Sequence, residues 1–108
     1  VEIYPGITVH RVDGHTPGQQ WIELSGGDAP LFFATDLIPT SHHVPLAYHM
    51  GYDVCADTLL AEKEAFLTRA VDERAIVCFQ HDREVQAARI VRNDRGQYEV
   101  GEKLVLWP

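Results

Sequence analysis

Asp13-Gly14-His15-Thr16-Pro17-Gly18 is the stretch whose reading decides the fold. His15 stands just after one β-run. Asp36 stands just after another, Leu31-Phe32-Phe33-Ala34, and His81 follows a third, Ala75-Ile76-Val77-Cys78-Phe79. The ends of neighbouring strands meet at one rim of a sheet, so two imidazoles and one carboxylate can gather there. That set of donors suits a divalent metal such as zinc, which takes His nitrogen and Asp oxygen at about 2.0–2.2 Å. A plain β-turn carrying an incidental histidine is the competing reading of the stretch taken alone.

Downstream of His15, Pro17 fixes its own φ and pushes Thr16 out of the helical region, while Gly18 permits a tight reversal. The loop is therefore rigid, which suits a ligand that must be in place before its metal arrives. Gln19 to Leu24 reads as a strand, and Ser25-Gly26-Gly27-Asp28 as a turn. Leu31 to Ala34 is apolar without alternation, as expected of a strand buried on both faces. Asp36 then leaves the sheet beside apolar surroundings and needs a partner, since an isolated buried charge is costly.

Upstream, Pro5-Gly6 reads as a turn between a short edge strand and a longer one. A regular pleat puts Ile7, Val9 and Arg11 on one side and Thr8, His10 and Val12 on the other. His10 is read as a surface or packed histidine. Residues 37–54 are irregular, with Pro39, Pro45, Gly51 and three histidines. A loop this long in a small domain is usually functional. It is read as a wall of the pocket, with His42, His43, Tyr48 and His49 as candidate substrate contacts. An aromatic-rich packing loop is the alternative.

Residues 57–73 carry the one clear amphipathic helix. Leu59, Leu60, Phe66, Leu67, Ala70 and Val71 form its apolar stripe, with Glu62, Glu64, Arg69 and Asp72 opposite. Asp57 is the expected N-cap, and the helix is expected to carry no chemistry of its own. Two alternating strands follow, 87–92 and 97–100, joined at Asp94-Arg95-Gly96. The chain closes on the apolar Leu104-Val105-Leu106-Trp107.

The 108 residues are expected to form one domain, 1–108. Sixteen acids stand against nine lysines and arginines, giving a formal net charge of -7. That surface disfavours nucleic acid and anionic membranes as partners. No apolar run approaches the ~20 residues that cross a bilayer. Cys55 and Cys78 are not closely spaced, and Cys78 sits in an apolar run, so no disulfide and a cytoplasmic setting are expected. The chain begins at Val1, and the expectation is a piece trimmed or cut from something longer.

Gly14-His15-Thr16-Pro17-Gly18 after a strand, with Asp36 and His81 each following an apolar strand, resembles the C-terminal half of the metallo-β-lactamase-fold hydrolases. The resemblance runs from about residue 5 to about residue 92, and the order of the three elements makes it more specific than any one of them. It implies an α/β (α+β) architecture, half of an αββα sandwich, with a mixed sheet of about five to seven strands and one main helix. It also implies two metal ions, usually zinc, with iron or manganese possible. His15 would complete one metal's ligands, Asp36 would bridge both ions and act as the catalytic carboxylate, and His81 would ligate the other. A water activated between the ions would cleave an ester, lactone, thioester or similar bond in a small molecule.

The family's His-x-His-x-Asp-His cluster is absent from this chain. Catalytic zinc needs three protein ligands, so the chain alone is expected to bind metal weakly and to be inactive. Gln19 stands where many members have a further His, and Thr35 precedes Asp36 where Gly is common. Half of a sheet-on-sheet fold leaves an apolar face, which is expected to meet the missing half or another copy. Two other readings are carried: a non-catalytic binding module on the same scaffold, and a mononuclear site using His15, Asp36, His81 and one of His42, His43 or His49.

Overall fold

Alternation in the first half of the chain builds half of the sheet. β1 (Glu2–Tyr4), β2 (Ile7–Val12) and β3 (Gln19–Leu24) run antiparallel, and β2 pairs with β3 without a break from Ile7↔Leu24 to Val12↔Gln19. β4 (Leu31–Phe33) joins β3 antiparallel. The chain then leaves through two 3-10 turns, Thr35–Leu37 and Ser41–His43, and helix α1 (Ala56–Asp72). It returns as β5 (Ile76–Cys78) parallel to β4, and β6 (Ala87–Arg92) and β7 (Tyr98–Leu104) finish the sheet antiparallel. The seven strands lie in chain order in one mixed sheet with one α-helix, an α+β arrangement. This is a computed structural model, and it describes residues 1–49, 51 and 53–106. Trp107, read with the apolar tail, lies outside the described residues, as does Tyr52.

Helix α1 covers one face of the sheet. The alternating side chains Val12, Trp21, Phe32, Val77, Ala88 and Ile90 meet Leu59, Phe66, Leu67 and Ala70 of the helix in one buried core. Trp21, Phe32 and Phe66 form an aromatic triangle with ring centroids 4.7–5.4 Å apart. Such tilted and edge-on pairs add about 0.5–1.5 kcal/mol each beyond their burial. His10 stacks on Trp21 at 4.0 Å and bonds Glu23 at 2.8 Å, so it is a packed histidine. Burial holds the Cys78 thiol up at about 11, and both cysteines are free.

The opposite face carries Ile22, Leu31, Phe33 and Ile76, all only half-buried, with Leu24 and Val91 exposed. β4 is therefore not buried on both faces as its unbroken apolar run suggests; among the described residues no element covers its second side. The helix differs from its sequence reading in two respects. It starts at Ala56 with Cys55 in the N-cap position and no side-chain cap, so Asp57 lies inside the first turn. Leu60 is exposed while Lys63 is 1% exposed. Glu62 and Lys63 of α1 hold two loops. β7 also runs four residues beyond the expected end at Val100, to Leu104.

Candidate metal centre

β2 ends at Val12, and the chain turns through the His15 loop before β3 begins. The loop is fixed at the backbone. The two Glu62 carboxylate oxygens accept the Asp13 and Gly14 amides at 2.7 and 2.8 Å. Asp13 accepts the Gly18 amide at 2.7 Å. That bond, with the neighbouring Arg11, holds the Asp13 carboxyl below its usual value. Gly14 lies against the start of α1, where an added Cβ would come 2.4 Å from the Leu59 backbone. No larger residue fits between loop and helix.

His15, Asp36 and His81 do meet at this rim. His15 Nε2 is 3.4 Å from Asp36 Oδ2, and His81 Nε2 is 2.8 Å from Asp36 Oδ1. Each carboxylate oxygen is thus turned to a different imidazole, and the polar partner that Asp36 needs is a histidine on each side. Two ligands of one tetrahedral zinc stand about 3.3 Å apart, from bonds of about 2.0 Å, so the His15–Asp36 spacing suits a shared ion. The His81–Asp36 pair is a hydrogen bond and would have to open slightly. The three donors are of the types that hold a metal. Among the described residues, no three His, Cys, Asp or Glu side chains already stand as a metal-holding group.

Asp53 was not singled out by the sequence. Its carboxylate, 1% exposed, accepts from His15 Nδ1 at 2.6 Å. A carboxylate only accepts, so a proton sits on Nδ1, and Nε2 is the nitrogen turned to Asp36. Second partners of this kind set the tautomer and orientation of metal-binding histidines. His49 Nδ1 lies 3.5 Å from the other Asp53 oxygen. The only sequence signal was His49 and Asp53 four residues apart in a loop, which is too common to single out.

Asp36 is itself aimed by Thr35 and Gln19. Thr35 has φ +53, the left-handed region where a side chain is strained and glycine is at ease. Its hydroxyl donates to the Gln20 carbonyl at 3.0 Å. With its amide oxygen toward the turn, Gln19 accepts the Asp36 amide at 2.7 Å and the Leu37 amide at 3.3 Å, and stands 2.7 Å from Thr35 Oγ1. The two residues are therefore neighbours, and together they hold the turn that presents Asp36.

The remaining candidates divide. His42 is exposed and shares a cavity of about 260 Å³ with Thr40, His81, Asp82, Arg83 and Glu84. His43 turns inward to Thr40 Oγ1 at 2.8 Å, and burial, then the charge of Lys63, pushes its imidazole below the ordinary value. Tyr48 is 59% exposed. None of His42, His43 and His49 joins His15, Asp36 and His81 in one cluster among the described residues. A larger cavity, about 490 Å³, lies between Pro45–Tyr48 and the β6–β7 hairpin and contains none of the three rim residues. Volume alone would favour it, but convergent polar groups favour the rim.

Asp82 ties the His81 loop to the Ser41–His43 turn. It accepts from Ser41 N–H at 2.8 Å, Ser41 Oγ at 2.5 Å, and the Glu84 and Val85 amides at 2.9 and 2.8 Å. Burial alone would raise its carboxyl, but these donors, Ser41 Oγ foremost, outweigh it and hold the group far below the usual range.

No family model matches the chain, and no curated protein is significantly similar to it in sequence. Solved structures do match. A probable metal-dependent hydrolase from Staphylococcus aureus superposes with a TM-score of 0.81 at 23% identity, over 97% of this chain and 39% of its own. AidC, a dizinc quorum-quenching lactonase solved with the product N-hexanoyl-L-homoserine, gives 0.77 at 21% identity, over 98% and 36%. The hydrolase AbOPH of the β-lactamase superfamily gives 0.81 at 15% identity, over 100% and 37%. The chain spans under two-fifths of the length of each. Among the described residues, the seven strands and the α-helix thus share the fold of one part of each of these hydrolases.

Proposed function

We propose that this chain forms one side of the catalytic corner of a metal-dependent hydrolase acting on an ester, lactone, thioester or related bond in a small molecule. The observation that carries the reading is Asp36, whose two oxygens face two different imidazoles, His15 at 3.4 Å and His81 at 2.8 Å. In this reading His15 and Asp36 serve one ion, and Asp36 and His81 a second. Zinc is the first choice, and iron or manganese suit the same donors. Ions held there supply a water of lowered pKa and positive charge for a developing oxyanion. The chain's own residues prepare the corner. Asp53 fixes the His15 tautomer, Gln19 holds the backbone of the Asp36 turn, and His42 lines the cavity beside His81, where substrate would lie.

Two donors per ion fall short of the three that a catalytic zinc requires. The missing ligands, and a cover for the half-buried Ile22, Leu31, Phe33 and Ile76 face, would come from further polypeptide or from a second copy. The test is zinc uptake by calorimetry, with the chain alone and with a companion polypeptide bearing a His-x-His-x-Asp-His cluster. Weak binding alone and two zinc ions per complex are expected, and Asp53→Asn should weaken uptake about 10–100-fold. The reading is abandoned if the complex takes up no zinc, or if His15→Ala and Asp36→Ala leave uptake unchanged. Sedimentation tests the uncovered face separately, because a monomer at micromolar concentration would contradict self-association.

A further inference from the structure

Lys63 is buried as completely as the core phenylalanines, at 1% exposure. A buried ammonium is costly unless its donors are matched. Here Nζ donates to the carbonyls of Pro45 at 2.9 Å and Tyr48 at 2.7 Å. Tyr48 N–H in turn donates to Pro45 O at 3.1 Å, so the cation closes a turn that already bonds to itself. The turn opens the stretch that carries His49 and Asp53, and Asp53 is the group behind His15.

We infer that Lys63 is a positioning residue: its ammonium docks the Pro45–Tyr48 turn on α1 and thereby sets Asp53 behind His15. This rests on the proposed role of His15 in the metal corner. The arrangement has a counterpart one residue earlier on the helix. Glu62 is an anion gripping the amides of the His15 loop, and Lys63 is a cation gripping the carbonyls of the opposite loop. Consecutive residues of opposite charge thus hold both walls at fixed distances from one helix.

The titratable groups around Lys63 are Asp53, His43, His49 and Asp57. Burial lowers the Lys63 ammonium to about 8, with the Asp53 charge opposing that shift. The folded-state value is below the unfolded one, so the unfolded chain binds the proton more tightly. Burying the charge therefore costs global stability at neutral pH, a cost that fades as pH rises past 8. A residue kept only to stabilise the fold would not be chosen this way.

That difference supplies the experiment, on the metal-free chain by NMR. Lys63→Met keeps most of the volume and removes both donors. Amide exchange at Leu46–His49 should accelerate by more than about tenfold, as expected for loss of charge-assisted hydrogen bonds. The imidazole 15N shifts of His15 should lose the Nδ1-protonated pattern, while the melting temperature holds or rises. Unchanged exchange and unchanged His15 shifts would overturn the inference. So would a loss of protection equal in loop and core, which marks a merely structural residue. If Lys63→Met does not fold, the wild type decides: the Pro45 and Tyr48 carbonyl 13C shifts should titrate with the Lys63 side chain, and their indifference would refute the contact. Neither measurement involves zinc, so failure here leaves the hydrolase reading standing, and failure of zinc uptake leaves the latch standing.

Discussion

Both loops that frame the rim are gripped at the backbone by side chains of α1, but the His15 loop also packs directly on the helix backbone. The His15 loop is gripped through its backbone. Gly14 touches α1 directly, and its amide and carbonyl bond Glu62 and Cys55 N–H, the latter at 2.8 Å. The 39–53 loop is held mainly by side chains reaching in from elsewhere, Lys63 from the helix and Asp82 from the far loop, beside one backbone bond from His81 N–H to Pro39 O at 3.0 Å. A backbone grip leaves no slack, so it should fail abruptly when a side chain is inserted. A side-chain grip should fail one contact at a time.

Gly14→Ala is the sharpest way to break that comparison. The new Cβ would meet Leu59 Cα and N at 2.4 Å. Those are backbone atoms of a helix packed on the core, and they cannot swing aside as a flexible side chain would. Gly14 is thus required for space rather than for its own backbone freedom. A loss of about 3 kcal/mol or more is expected, at the upper end of overpacking costs, read as a lower urea midpoint. A variant as stable as the wild type would show that the helix start yields, and that the first loop is no stiffer than the second.

Asp82→Ala probes the side-chain grip and should cost less, about 2 kcal/mol for several charge-assisted hydrogen bonds partly replaced by water. The sign with pH is fixed by the depressed Asp82 carboxyl. A group whose folded pKa lies below its unfolded one contributes fully above the ordinary carboxylate value and loses that contribution as pH falls toward the folded value. The gap between wild type and Asp82→Ala should therefore be full near pH 7 and narrow below about pH 4. A gap that stayed constant down to acid pH would show that the Ser41 turn does not depend on the Asp82 charge.

The same contrast explains what could be read from the residues. His-Thr-Pro-Gly and the two apolar strands place His15, Asp36 and His81, because backbone chemistry and strand ends are local and periodic. The helix stripe is legible for the same reason, apart from its first turn. Asp53, Lys63 and Asp82 are not legible. Each acts across 18 to 41 residues of chain on partners chosen only after folding: Lys63 on Pro45, Asp82 on Ser41, Asp53 on His15. The uncovered face of β4 was misread because an unbroken apolar run signals contact on both sides without saying which molecule provides it. Gln19 and Thr35 each looked like an isolated departure, and only their 2.7 Å contact shows that they act as a pair.

The smallest expected effect lies where the two loops join. Cys55 N–H bonds Gly14 O at 2.8 Å and Val54 N–H bonds His15 O at 3.1 Å, so the end of the second loop is tied to the first just before α1 begins. Cys55 already has the extended backbone of an N-cap, φ −141 and ψ 104, but no side-chain cap bond. Its thiol instead accepts from the Thr58 hydroxyl at 3.1 Å, and that contact holds the thiol below its usual pKa. An oxygen at this position accepts the free amides of the first turn far better than sulfur does. Cys55→Ser should therefore raise the melting temperature by a few degrees without disturbing either loop. A fall instead would mean that the sulfur contact with Thr58 matters more than the open cap, and that the junction belongs with the side-chain-held loop.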